Sequence, residues 1–253
     1  MVNQFSQNIA LLAVDVLKLD EIKKPSLGFN PSRSLYPHEE YIQRSLLAIG
    51  EVDGLVRQLN YSAILLANFR NTPTMKRNKI SRYEYMIYHI EGYLLRVTGV
   101  LDRLLKLVNT ILDLKLNDNA CIASMMIHSR KGVKGLHNDR IETMVPGLTN
   151  ALLEISRYIE KFREDRNMIA HKGKIHYQDL REIEMFHIVL QNDPEEEIKK
   201  FEWYIKILTD KKVVEYKKDF QNCTETIESL LLPIYTLLEV FFNNYQKSLR
   251  TTI

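Results

Sequence analysis

A run of apolar residues that steps alternately by four and by three constrains this chain more than any other feature. It starts at Tyr83 and passes through Ile87, Ile90, Leu94, Val97, Leu101, Leu104 and Val108 to Ile111 without a break. Steps of that size put all nine side chains on one stripe of an α-helix, and they do not fit a strand. Just before the run stands Ser81-Arg82-Tyr83-Glu84, a capping box with Ser81 as N-cap and Glu84 at N3. Ile80 and Tyr85 occupy the two staple positions around it. The helix is expected to stop at Asn117-Asp118-Asn119.

The same periodicity recurs along the chain. An earlier stripe runs through Ile42, Leu46, Ile49, Val52, Val56, Leu59, Ala63 and Leu66. A C-terminal stripe runs through Val213, Tyr216, Phe220, Cys223, Ile227, Leu230, Ile234, Leu237, Phe241 and Tyr245, with Pro233 inside it, where a kink is expected. Asp193-Pro194-Glu195-Glu196 reads as the start of a separate shorter helix carrying Ile198, Phe201, Ile205 and Leu208. Another helix is expected over residues 177–190. A central helix begins near Pro146 with the stripe Leu148, Leu152, Ile155, Ile159, Phe162, then position 166, then Ile169, and Gly173 is its natural C′ residue. Residues 24–34, 71–79 and 129–140 read as loops.

No alternating strand pattern, internal repeat or low-complexity tract stands out. Nine glycines and seven prolines in 253 residues are few for a fold built on tight turns. The expected fold class is therefore all-α, an antiparallel helical bundle with long helices. Residues 36–253 are expected to form one domain, after an N-terminal segment, residues 1–35, of unassigned role.

Charge and cysteine usage narrow the function classes. Thirty-five basic against 32 acidic residues leave a net charge of +3, which does not mark a dedicated nucleic-acid binder but leaves room for a local basic patch. Cys121 and Cys223 have no metal-ligand spacing and form no disulfide framework, so a reducing, cytoplasmic location is expected. The apolar run near the N-terminus lacks a preceding basic region and is interrupted by Asp15, Asp20 and Glu21, which argues against a signal peptide. No stretch reaches the ~18 apolar residues of a spanning helix, so no membrane is expected among the partners.

The residues with chemistry cluster at the end of the central helix, in Arg166-Asn167-Met168-Ile169-Ala170-His171. Arg166 occupies a seam position of an otherwise apolar stripe, where a charge is either paired in the interior or pointed into a cleft or interface. Asn167 and His171 are four apart and share a helix face, with Glu160 and Glu164 near it. Arg166 and His171 are five apart, roughly 140° round an ideal helix. They converge on one substrate atom only with a bend at the helix end or a second copy of the helix across a dimer axis.

This segment resembles the R-x4-6-H signature of the HEPN superfamily, in the form Arg-Asn-x-x-x-His followed by Lys172-Gly173. The resemblance is strongest over residues 165–173 and extends loosely to the helices that start near Ser81 and Pro146. It implies a helical bundle that forms a homodimer, with the two motif helices facing each other. It further implies a metal-independent endoribonuclease that needs no cofactor and acts on RNA, with Arg166, Asn167 and His171 as catalytic residues and a 2′,3′-cyclic phosphate product. Toxins, antiviral (phage-defence) effectors, and members paired with a nucleotidyltransferase or other antitoxin partner belong to the family. So do catalytically inactive dimeric binding or regulatory modules. The residue types suit the chemistry. Histidine moves protons near neutrality, and arginine offers a fixed fork of donors to a crowded phosphorane. Asn167 would orient a phosphate or hold His171. One toxin subgroup carries a tyrosine two residues after the histidine. Gly173 stands there instead, and Tyr177 is too far along to replace it.

Plainer readings compete. Arg166 alone fits a buried ion pair, and His171 alone fits a histidine held by the helix C-terminus. His171, His176 and Glu182 match no established zinc spacing. His128 and His137 flank a basic loop with Arg130, Lys131 and Lys134, best read as solvated. A ribonuclease requires Arg166 and His171 exposed in one basic-lined cleft. An inactive module would occlude the motif, for example by pairing Arg166 with a carboxylate. A coincidental motif would bury the His171 region.

Overall fold

The capping box forms as its spacing requires. Ser81 N–H donates to the Glu84 carboxylate at 2.7 Å, and Glu84 N–H donates to the Ser81 hydroxyl at 3.1 Å. It opens α4 (Arg82–Ile111) in a computed structural model that describes residues 4–16, 35–128, 133–172, 177–192 and 195–251. The other helices are α1 (Gln4–Val16), α2 (Pro37–Ala67), α3 (Pro73–Arg77), α5 (Ala123–Met126), α6 (Asn138–Met144), α7 (Leu148–Glu160), α8 (Arg163–Lys172), α9 (Arg181–Asn192) and α10 (Glu195–Thr251). Short 3-10 turns lie at Asp118–Ala120 and Gln178–Leu180. No strand occurs among the described residues, only one bridge between His128 and Lys134. The all-α class is as expected, and no helix among the described residues is long and apolar enough to cross a membrane.

Two compact units divide the chain. The first comprises Met1–Leu55, Gly99–Ile159 and Ile227–Ile253. Its core gathers Phe5, Tyr41 and Phe242, with Phe5 edge-on to Phe242 at 5.9 Å and Tyr41 stacked on it at 5.4 Å. The Tyr41 hydroxyl donates to the Ile111 carbonyl at 2.7 Å, which satisfies an orphan acceptor at the end of α4. Leu148, Leu152, Ile155 and Ile159 are buried along α7, as the stripe requires. Glu142 accepts hydrogen bonds from the N–H groups of Gly147 and Thr149 and from the Thr149 hydroxyl, tying down the start of α7. Gly147 has φ +85°, a left-handed turn that glycine makes without a Cβ clash.

The second unit comprises Val56–Thr98 and Glu160–Thr226. Tyr93 stacks on Phe220 with ring centroids 3.7 Å apart, and its hydroxyl donates to the Phe220 carbonyl at 2.9 Å. Arg82 pairs with Asp210 at 2.7 Å, and Phe186 meets Tyr204 edge-on at 5.4 Å.

Several helix boundaries differ from the sequence expectation. The α4 helix ends at Ile111, not at Asn117, because Asn109 turns back on the chain: its amide donates to the Leu116 carbonyl and accepts from Leu116 N–H. Asp113 and Lys115 follow with φ +46° and +60°, values no helix accommodates. The two C-terminal helices are one, α10, which continues through Pro233. Its start at Asp193-Pro194 lies outside the described residues. Residues 71–79 are not all loop: Thr72 caps α3 by accepting from Met75 N–H. The central helix is interrupted at Lys161-Phe162 and resumes as α8. Past Phe162 the next stripe position holds the charged Arg166, so the apolar seam does not hold the chain on the α7 line there.

Candidate functional site

The short helix α8 carries all three candidate residues. Asp165, Met168 and Ile169 recur at three and four and are half-buried, so they form its inner side. Burial holds the Asp165 carboxyl above the usual aspartate range, and the neighbouring Glu164 adds to the shift. Burial also pushes the Tyr177 hydroxyl up, with Glu91, Tyr216, Asp165 and Asp179 adding in that order. Tyr216 in turn donates to Asp179 at 3.1 Å, and Lys212 pairs with the same carboxylate at 3.2 Å. A group of tyrosines and carboxylates therefore lies beneath the inner side of α8. Periodicity gave no hint of it, because its members come from four separate helices and turns.

The outer side presents the motif. Arg166 and His171 are exposed and Asn167 is half-buried. On an ideal helix Asn167 lies about 100° from Arg166 and about 40° from His171, between the two. Arg166 Nη1 donates to Asn167 Oδ1 at 3.2 Å. Among the described residues Arg166 has no carboxylate partner, and His171 makes no hydrogen bond. The seam placement expected for Arg166 is thus corrected: the break after Glu160 ends the α7 stripe and leaves the guanidinium in solvent. Asn167 does not hold His171; it holds Arg166. Glu160 bonds Arg163 at 3.2 Å.

The unbroken α8 leaves no bend to bring Arg166 and His171 together within one chain. Neither of two clefts in the molecule includes them. One, of about 500 Å³ in the first unit, is lined by Tyr41, Arg44, Asp113, Lys115 and Tyr245 among others. The other, of about 470 Å³ in the second unit, is formed by residues of the turn at Gln178–Leu180 and of α9, with Tyr177. No group of three or more His, Cys, Asp or Glu suited to a metal ion occurs among the described residues. His176, Gly173, Arg130 and Lys131 lie outside them. Lys134 pairs with Asp139, which neutralises that part of the basic loop.

Comparison with known proteins gives one match at family level. The family described as HEPN_Cthe2314-like HEPN matches residues 49–235, well over half of the chain and inclusive of α8. No curated protein and no solved structure matches.

Proposed function

This chain belongs to the HEPN superfamily, and from that premise we propose that it is a metal-independent endoribonuclease whose site is assembled from two copies of α8. The observation that carries the reading is the state of the motif: Arg166 and His171 are both exposed on α8, and among the described residues the side-chain partner of Arg166 is Asn167. A structural ion pair would have placed a carboxylate on that guanidinium. Pairing of that kind is one way in which an inactive module would occlude the motif.

The chemistry follows from the residue types. The 2′-hydroxyl of one nucleotide attacks the adjacent phosphorus and the 5′-oxygen of the next leaves. One imidazole removes the hydroxyl proton and another protonates the leaving oxygen. A single chain supplies one such imidazole at this site, and a dimer supplies two. Arg166 donates to the non-bridging oxygens as charge builds on the phosphorane, and its bond to Asn167 fixes the fork before substrate arrives. The products are a 2′,3′-cyclic phosphate and a free 5′-hydroxyl. A role as toxin or antiviral effector belongs to the same reading.

End-group analysis of cleaved RNA tests the mechanism. The expected result is cyclic phosphate ends and full resistance of a 2′-deoxy substrate. Hydrolysis of the 2′-deoxy strand would rule out the 2′-hydroxyl as nucleophile. The alternative is a dimeric binding or regulatory module without catalysis, favoured if the purified protein binds RNA and leaves it whole.

A further inference from the structure

The stretch from Gly54 to Tyr83 carries six basic residues and no acidic one, in a chain with 35 basic against 32 acidic residues. Four of the six, Arg70, Lys76, Arg77 and Lys79, stand at the connection from α2 to α4. All four are exposed and have no carboxylate partner among the described residues. The connection is a folded tip rather than a loose charge run. Thr72 caps α3 at its start. At its end Lys79 N–H donates to the Lys76 carbonyl at 3.1 Å, and Ile80 N–H donates to the Met75 carbonyl at 2.9 Å. Like charges gathered on one ordered tip repel each other until an anion neutralises them. A series of rings leads away from the tip. Phe69, beside Arg70 in the chain, meets Tyr85 at 5.2 Å. Tyr85 meets His89 at 4.4 Å, and His89 meets Tyr88 at 5.4 Å. Tyr88 ends the series and is 71% exposed.

We propose that this tip and Tyr88 form a docking surface for single-stranded RNA, with the four cations on its phosphates and the Tyr88 ring against a base. The choice of RNA rests on the ribonuclease reading above. Regularly spaced phosphates match several cations on one tip, and an unpaired base offers a face to a ring. A duplex hides its base faces in the stack, so the ring selects a single strand. An anionic lipid surface would take the charges too, but it needs apolar side chains to insert beside them. Between Arg70 and Arg82 the exposed large apolar side chain is Ile80, at 39%. The tip lies outside the cleavage machinery but in the same unit. Glu91, whose charge bears on Tyr177 beneath α8, is nine residues along α4 from Arg82, or roughly 14 Å. A strand docked at the tip therefore reaches α8 within a few nucleotides.

Salt titration separates this surface from the cleavage site. The probe is a fluorescent single-stranded RNA of about 12 nucleotides, titrated into full-length His171→Ala protein at a series of salt concentrations and followed by anisotropy. Exchanging the four cations together (Arg70→Gln, Lys76→Gln, Arg77→Gln and Lys79→Gln) should flatten the slope of log affinity against log salt by about 3, since each phosphate contact contributes about 0.7. Lys247→Gln, which removes an exposed charge from the first unit, should leave the slope unchanged. Tyr88→Ala should weaken binding about tenfold without altering the slope. No RNA binding, a slope indifferent to the four exchanges, an equal flattening per charge from Lys247→Gln, or full affinity in Tyr88→Ala overturns the surface. So does binding to phosphatidylserine vesicles through the same four cations by a protein that ignores RNA. Cleavage is scored in parallel on the forms that keep His171, where the four exchanges should raise KM about tenfold and leave kcat as it is. Tip-dependent RNA binding in a protein that never cleaves removes the ribonuclease reading and keeps the surface. His171-dependent cleavage with a KM indifferent to the four exchanges does the reverse.

Discussion

At the scale of single residues, exposure decides what the motif can do. An arginine packed in a seam would couple catalysis to stability, but Arg166 stands in solvent with Asn167 as its side-chain partner. Arg166→Ala should therefore lower cleavage by about 10²–10³-fold. His171→Ala should lower it by about 10²–10⁴-fold. Both should leave unfolding free energy within ~0.5 kcal/mol of wild type. Denaturant melts read this directly, and a large loss of stability in Arg166→Ala would mean that its role is structural. Asp165, on the inner side, behaves differently. Its folded carboxyl sits above the unfolded value, so its contribution to stability is greatest at low pH and is lost as pH rises through the folded value. Asp165→Asn should accordingly stabilise the protein at neutral pH, with the gain fading toward pH 3. A destabilised Asp165→Asn protein at pH 7 would show that the ionised carboxylate has a partner it needs.

At the scale of elements, local rules were readable and long-range ones were not. The capping box at Ser81 and Glu84 was legible because both partners lie within one turn. Ser81→Ala should cost about 1 kcal/mol in thermal or denaturant melts. No measurable change would mean that the box is redundant with the Arg82–Asp210 pair in the same turn. The buried stripe of α7 and most of that of α2 were legible too, because helical burial repeats in the sequence. Toward the C-terminus the reading drifted by one residue: Leu231, Leu238 and Phe242 are buried where Leu230, Leu237 and Phe241 were expected. A strict seven-residue repeat slips about 20° per heptad against a 3.6-residue helix, and the error accumulates. The end of α4 was missed because it depends on Asn109 reaching seven residues ahead. The break before α8 carries no proline or glycine and so left no mark.

At the scale of the whole molecule, the α8 geometry has a consequence for assembly. Arg166 and His171 point roughly 140° apart on one unbroken helix, so one chain cannot aim both at one phosphate. A symmetric pair of α8 helices can. In an equal mixture of wild-type and His171→Ala chains only about a quarter of the dimers then carry both imidazoles, so activity should fall to roughly half of what the same amount of wild-type protein gives alone. Wild-type activity left unchanged by the added His171→Ala chains would mean that each site is built within one chain. The motif itself was visible in the sequence as six consecutive residues, and its family is shown by the match over residues 49–235. The tyrosines beneath α8 and the cleft on α9 were not visible, because they arise only where separate helices meet. The central claim is that His171 cleaves RNA without a metal. Its most direct test is digestion of a mixed RNA pool by wild-type and His171→Ala proteins, both in EDTA. The account predicts cleavage by wild type alone. Cleavage at equal rates by the two proteins, or activity that EDTA abolishes, would contradict it.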